Sequence, residues 1–381
     1  MRAISSSTVI TDPYRAGIAL GESLASMSPE VVFLFSSIHY SAPELLEGLH
    51  DALDRDEVIV VGNSGNGFYE TTVSSDRGAA VLGLSSDGQV RWRLAYAERL
   101  HEDLGVKVER LMASLSEEGE SPCLGYLVSD FRVDASRIET VLRETANFPI
   151  VGGLAADDYL MQSSYIYVNR EVISDALVVL AAYGDLRFSI HVGNSLQAIG
   201  RSGRIEAIEG TQLHRVDGIS AKDFIERETG RAVLQTDRGT LSLLVCDVED
   251  SEEKSLRSII PDLLDTGGSL GLFGGIPRGH SVQVCVAQPE DMVAEVHAIA
   301  KAASASGKGA AAALVISCSG RKVLLGAQIK HETSALTQAF APDLPLAGFT
   351  SFGEIAPLRR ADGYTCNLFH NMTYVLLVIE Q

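Results

Sequence analysis

Three times along the chain a short apolar run stops at a glycine and gives way to small polar residues: IVVGNSGNG at 59–67, PIVGGLAA at 149–156 and PLAGFTSFGEIAP at 345–357. Ahead of each lies a longer apolar run with a polar end: VVFLFSSIHY (31–40), CLGYLVSDFR (123–132) and AALVISCSGR (312–321). Between and before these runs the apolar spacing changes to the helical period. The first unit reads as helix Asp12–Met27, strand 31–36, helix Pro43–Leu53, strand 57–61, the Gly62–Gly67 turn and a return strand at 78–85. In the second, Leu100, Leu104, Val108, Leu111 and Leu115 predict a long amphipathic helix over Ala95–Ser116. Strand 123–128, helix 135–146, strand 149–151, the Gly152-Gly153 turn and a return strand at 175–184 follow. The third repeats the order with helix Asp291–Ser304, strand 312–317, helix His331–Phe340, strand 345–347, a turn at Gly348 and a return strand at 373–380.

Parallel strands joined by helices, with antiparallel returns, predict an α/β fold. The expected form is a two-lobe layered sandwich: mixed β-sheets flanked by helices, built from repeated strand-helix-strand units. Residues 186–288 read differently, as short strands and turns, and put the lobe boundary near residue 215. That gives domains over 10–215 and 216–381. Repeated units gather their polar strand ends where ligands usually bind, so the pattern points to a pocket.

The net charge of −19 repels phosphate backbones and argues against a nucleic-acid partner. No run approaches the roughly 20 apolar residues of a membrane span, and the N-terminal residues lack a signal-peptide core. The five cysteines are odd in number and widely spaced, which suits a reducing cytoplasm and argues against a disulfide framework or a zinc ribbon. In that compartment the Asn371-Met372-Thr373 sequon has no glycosylation role.

The segments GRIEAIEG and HRVDGISAKDFIE (203–226), SLGLFGGIPRGHSVQVCV (269–286), LVISCSGRKVLLG (314–326), PLAGFTSFGEIAPL (345–358) and HNMTYVLLV (370–378) resemble the FIST family. The resemblance spans about residues 10–380. It implies paired FIST N-terminal and C-terminal domains acting as intracellular sensors of small ligands. The chain departs from the family at its first glycine turn, where Gly62-Asn63-Ser64-Gly65-Asn66-Gly67 replaces a run with cysteine, threonine and glutamate.

The best candidate pocket gathers Ser317, Cys318, Ser319, Arg321, Thr350, Ser351 and Glu354, with Gly348 at the turn. An arginine fork suits a carboxylate and Glu354 suits an ammonium, so the set fits an amino-acid-like zwitterion. The competing reading is a structural Arg321–Glu354 salt bridge. Asn371 and His370 are placed to close the pocket, or to cap an adjacent turn. Asn63 and Ser64 offer donors in the first lobe, and an ordinary tight turn explains them about as well.

Some family members that stand alone sense nitric oxide through haem and act through a separate histidine kinase. By that resemblance, a haem b group would need an axial ligand, with His39, His101, His191 and His370 as candidates. No Cys-x-x-Cys-His occurs, so attachment would be non-covalent.

Enzyme readings find less. The first glycine turn is not a nucleophile elbow. The glycine-rich 267–275 lacks the Walker lysine, and neither His-Glu pair is followed by the second histidine of a zinc motif. Asp157-Asp158 reads as a solvated loop pair. Cys318 with a histidine remains a possible thiol nucleophile, although a cysteine behind an apolar strand is usually core. The sequence therefore predicts a cytoplasmic sensor, not an enzyme, that binds a small molecule and signals to a separate partner. A haem-based nitric oxide sensor and a cysteine-dependent enzyme stay open as alternatives.

Overall fold

The three glycine-ended runs form the parallel centres of three mixed sheets. The computed structural model describes residues 1–116, 120–246, 253–305 and 309–381. Val31–Ser37 pairs in parallel with Ile59–Gly65, Leu124–Ser129 with Ile150–Leu154, and Ala310–Cys318 with Leu346–Ser351. The return strands Ala79–Ser85, Ala176–Gly184 and Tyr374–Glu380 lie antiparallel beside the first strand of each pair. A further strand then edges each sheet: Arg2–Thr8, Val90–Glu98 and Phe188–Gly193.

Two helices cover the outer face of each sheet. They are Pro13–Leu24 with Ala42–Leu53, Leu104–Ser114 with Ala135–Thr145, and Pro289–Ser304 with His331–Ala339. Aspartates start several of them: Asp12 accepts from the Arg15 amide at 2.8 Å, and Asp134 accepts from the Ser136 amide at 3.1 Å. The inner faces of all three sheets meet in one core. There Phe35 stacks on Phe349 at 5.3 Å, and Phe33 meets Tyr126 edge-on at 5.1 Å. Such aromatic pairs add about 0.5–1.5 kcal/mol each beyond the area they bury.

The helix expected over Ala95–Ser116 is shorter. Val90–Glu98 is an edge strand paired residue by residue with the return strand, from Val90 opposite Gly184 to Glu98 opposite Ala176. Arg99 then takes a left-handed φ of 54°, and Asp103 caps the helix that starts at Leu104. The helical spacing from Leu104 onward is real. The alternation VRWRLAYAE ahead of it marks the strand.

The strands run on through the glycines expected at turns, Gly62, Gly152-Gly153 and Gly348, and end at Gly65, Leu154 and Ser351; after each the chain makes a hairpin that leaves its own sheet. Phe68–Glu70 and Val73–Ser75, from the first unit, extend the third sheet by pairing with Leu346–Ser351. Ile166–Val168 and Glu171–Ile173, from the second, extend the first sheet along Ile59–Gly65. Glu354–Arg360 and Gly363–His370, from the third, extend the second sheet along Ile150–Leu154. The donation is cyclic, so each sheet is completed by another unit.

Between the edge strand of the third unit and its first helix, the chain builds a separate antiparallel barrel with its own core. The long strand Leu196–Glu209 closes it by pairing with both Ser281–Ala287 and Gln212–Val216. The division expected near residue 215 falls within that last strand. Residues 247–252 of the stretch read as strands and turns lie outside the described residues. The glycine-rich 267–275 supplies the short barrel strand Leu270–Leu272 and its flanking turns.

The repeated glycine has a steric cause. Gly62 lies opposite Leu34, Gly152 opposite Leu127 and Gly348 opposite Val315. A Cβ at these positions would come within 1.8, 1.7 and 1.9 Å of the facing carbonyl oxygens. Gly348, expected at the ligand, is therefore fixed by its neighbouring strand. We expect Gly152→Ala to cost on the order of 4 kcal/mol or to prevent folding. Gly105→Ala, on an open helix surface, should instead stabilise by roughly 0.5–1 kcal/mol. Urea unfolding of both variants checks the contrast, and equal effects would refute it.

Candidate functional site

Cys318 and Ser351 end the two parallel strands of the third sheet side by side. Beyond them lies a cavity of about 130 Å³. One wall is Tyr159 and Met161, from the loop after the second glycine strand. Another is Arg238, Gly239, Ser258 and Phe273 of the barrel. The third unit supplies Cys318, Ser319, Gly320, Val323, Phe352 and Asn371. Carboxyl ends of parallel strands are where open α/β sheets bind ligands. A larger recess of about 920 Å³ opens at the other end of the same strands, around Met27, Ala310, Pro345 and Gln381. It lies between the first and third units at the amino ends of those strands, whereas ligands in such sheets bind at the carboxyl ends, so the smaller cavity is the better candidate.

Each wall is held by specific bonds. The Asn371 amide donates to the Leu256 carbonyl at 3.1 Å, and its side-chain oxygen accepts from the Ser258 amide at 2.9 Å. Gly320 lies so close to the barrel that a Cβ would sit 2.3 Å from the Gly239 carbonyl oxygen. Asn66, in the first glycine turn, donates to the Ser319 hydroxyl at 2.9 Å and accepts from the Asp158 amide at 2.5 Å. The Asp157 carboxylate accepts from the amides of Met161, Gln162 and Ser163 at 2.9, 2.6 and 3.1 Å. This wraps the loop into a turn in which Asp158, Tyr159 and Met161 are left-handed. Tyr159 donates to the Ser319 carbonyl at 3.0 Å, and its ring lies 6.0 Å from Phe352.

Of the residues expected at the ligand, Cys318, Ser319 and Asn371 line the cavity. Arg321 and Glu354 do not form a clamp, nor do they pair with each other. Arg321 is fully buried, with Nε 3.0 Å from Glu332 Oε1, while the other Glu332 oxygen accepts from Tyr69 at 2.8 Å. Glu354, also fully buried, accepts from the Ser351 hydroxyl and from the Thr373 amide and hydroxyl at 3.2 and 2.8 Å. Ser317 and Thr350 are buried beside Tyr69. In the first unit, Asn63 accepts from Tyr126 at 3.1 Å, and Ser64 donates to the Ala156 carbonyl at 2.8 Å. Both therefore hold the fold together.

The sequence reading missed Asn66, Tyr159, Phe352 and the barrel residues. Asn66 and Phe352 sit inside the quoted glycine motifs. Tyr159 follows the Asp157-Asp158 pair, whose pattern alone suggests a solvated loop. The barrel residues carry no local signal.

The family profile of the FIST N domain matches residues 30–219, and that of the FIST C domain matches residues 221–357. The chain belongs to the FIST family. FIST domains are sensory domains of signal transduction. The "Uncharacterized protein MJ1623" of Methanocaldococcus jannaschii is 22% identical over 220 residues, which cover 55% of this chain and 43% of that relative. The match thus spans less than half of the relative's length. Among solved structures, "T. maritima PurL complexed with ATP" aligns at 10% identity with a TM-score of 0.21, over 100% of this chain and 71% of that one. "Structure of PurLQS from Thermotoga maritima" aligns at 10% identity with a TM-score of 0.23, over 99% and 72%. Scores this low carry no argument about this FIST protein.

The candidate haem ligands in this FIST protein do not fit that group. His370 is buried with Nε2 3.1 Å from the Ala356 carbonyl oxygen, and burial pushes its pKa down to about 4. His191 lies 3.2 Å from the Ser189 hydroxyl, and burial lowers its pKa. His39 is exposed and lies 3.0 Å from Asp158. His101 borders a recess, but its ring meets Asp175 and the other walls include Arg132, Asp134 and Arg137. An axial ligand facing an apolar cleft is missing from this set. No helix among the described residues is long and apolar enough to cross a membrane.

Burial raises Glu354 from an ordinary 4.5 to about 7, against the opposing effect of its hydrogen bonds. Folding therefore favours the protonated acid. This contribution is fully present below about pH 4.5 and declines as pH rises to about 7. Unfolding in urea should show Glu354→Gln gaining on the wild type across that window by on the order of 3 kcal/mol. A pH-independent difference would show that Glu354 is not raised. Glu332→Ala, which strands the buried Arg321 charge, should cost about 3–5 kcal/mol in the same assay.

Proposed function

We propose that this FIST protein is a sensor whose small-metabolite ligand occupies the cavity at Cys318, and that occupancy is passed to a separate signalling protein such as a histidine kinase. One observation carries this reading: the cavity walls come from the second unit's loop, the inserted barrel and the third unit. A ligand touching all three favours one arrangement of them over others, and that differential affinity is what a sensor needs. A binding role is also supported by Cys318. Burial and the neighbouring Glu354 push its thiol well above the usual range, opposite to the shift that activates a nucleophile. With Arg321 and Glu354 committed to internal partners, ligand recognition rests on the cavity's own walls.

Val323, at the cavity, is 57% exposed, so Val323→Trp should fold normally while obstructing entry. In a thermal-shift screen of metabolites, a ligand at 100 times its Kd adds about 2.7 kcal/mol, which raises Tm by roughly 3 °C for a chain of this length. The shift should vanish in Val323→Trp. A metabolite that stabilises both proteins equally would place the ligand elsewhere and overturn this reading.

A further inference from the structure

The chemistry of the cavity walls narrows the ligand class, given the reading above that the ligand sits there. Phe273, Phe352 and Tyr159 supply three aromatic rings, with Met161 beside them. The volume of about 130 Å³ is close to that of protein cavities that accept a single benzene ring. One charged side chain, Arg238, lines the cavity. Its guanidinium lies 5.9 Å from the centre of the Phe273 ring, with one arm engaged by Asp262, and the side chain is 40% exposed. A planar fork held against a ring suits a carboxylate attached to another ring.

The polar groups of the cavity are already engaged within the protein. The Ser319 hydroxyl accepts from Asn66 at 2.9 Å, and Ser258 and Ser242 hydroxyls bond at 2.8 Å. The Asn371 side chain accepts from the Ser258 amide and donates to the His370 carbonyl. No carboxylate lines the cavity among the described residues. An ammonium group placed there would lose its hydration with no counter-charge to replace it. The same walls that favour an aromatic acid therefore disfavour an amino acid.

We propose that the cavity binds a single-ring aromatic monocarboxylate, with its ring among Phe273, Phe352 and Tyr159 and its carboxylate at Arg238. The protein as a whole is strongly acidic, so Arg238 is a local exception that selects the anion at close range. Asp262 competes with the ligand for that guanidinium.

Calorimetric titration of the full chain tests this with four probes: benzoate, benzamide, phenylalanine and acetate. Benzoate should bind saturably, and each of the others at least ten-fold more weakly. Arg238→Gln should weaken benzoate about ten-fold and leave benzamide unchanged. Asp262→Asn, which removes the competing carboxylate, should tighten benzoate several-fold, a gain that a merely structural ion pair would not give. Val323→Trp should abolish binding. Phenylalanine binding as tightly as benzoate, or benzoate indifferent to Arg238→Gln, would overturn the aromatic-acid assignment. If benzoate fails to bind while another metabolite binds and loses affinity in Val323→Trp, the assignment falls and the sensor site stands. Benzoate binding unchanged in Val323→Trp would overturn both.

Discussion

A sheet edge must be paired, covered or blunted, because its free amides and carbonyls otherwise invite another chain. Here each glycine-bearing strand is paired on its far side by a hairpin from a different unit. Phe68–Glu70 covers Leu346–Ser351, Ile166–Val168 covers Ile59–Gly65, and Glu354–Arg360 covers Ile150–Leu154. The strand crossovers bring the first glycine turn, the 157–163 loop and Phe352 together at the carboxyl end of the third sheet. The cavity is thus a by-product of how the sheets are closed. Its position follows from main-chain pairing before any side chain is considered.

Buried charges then fix the parts around it. Arg257 is fully buried, donating to Glu139 at 2.7 Å and to the Gly275 and Phe369 carbonyls, so it joins the barrel to the second unit's helix and the third unit's hairpin. Arg321 and Glu332 join the short helix after Cys318 to the next helix beneath it. Lys322 reaches back to the first glycine turn and to Asp76 at 2.7 Å. These charges are used within the framework, which leaves Arg238 as the one charged side chain on the largely aromatic cavity walls.

Much of the architecture was legible because it is local. The three parallel pairs, their covering helices and their returns follow from apolar period and glycine position, and they lie within a few residues of where the pattern puts them. The exchanged hairpins were not legible. Their strands include runs of three residues, such as Ile166–Val168 and Glu171–Ile173, too short to show a period, and their partners lie far away in sequence. The edge strand Val90–Glu98 was hidden by the helical spacing that continues after it. The site is half legible for a related reason. Cys318, Ser319 and Asn371 stand at strand ends, where ligands gather, but a charge near a strand end can turn inward as readily as outward. Arg321 found Glu332, eleven positions on along the chain, and Glu354 found the hydroxyls of Ser351 and Thr373. What decides between the two outcomes is the packing of the next helix and the barrel, which no short window of sequence contains.

The cyclic donation of hairpins also sets an order in time. Phe68 pairs with Phe349, 281 positions later, and the second sheet waits for Glu354 to reach Gly153. A chain growing from the ribosome can form its first helices and parallel strands early, yet the first unit's hairpin has no sheet to join until nearly the whole chain has emerged. Contacts this distant in sequence slow folding and leave unpaired strands exposed meanwhile. The nascent chain therefore spends most of its synthesis with open edges, and chaperones have their longest opportunity to act before the third unit arrives.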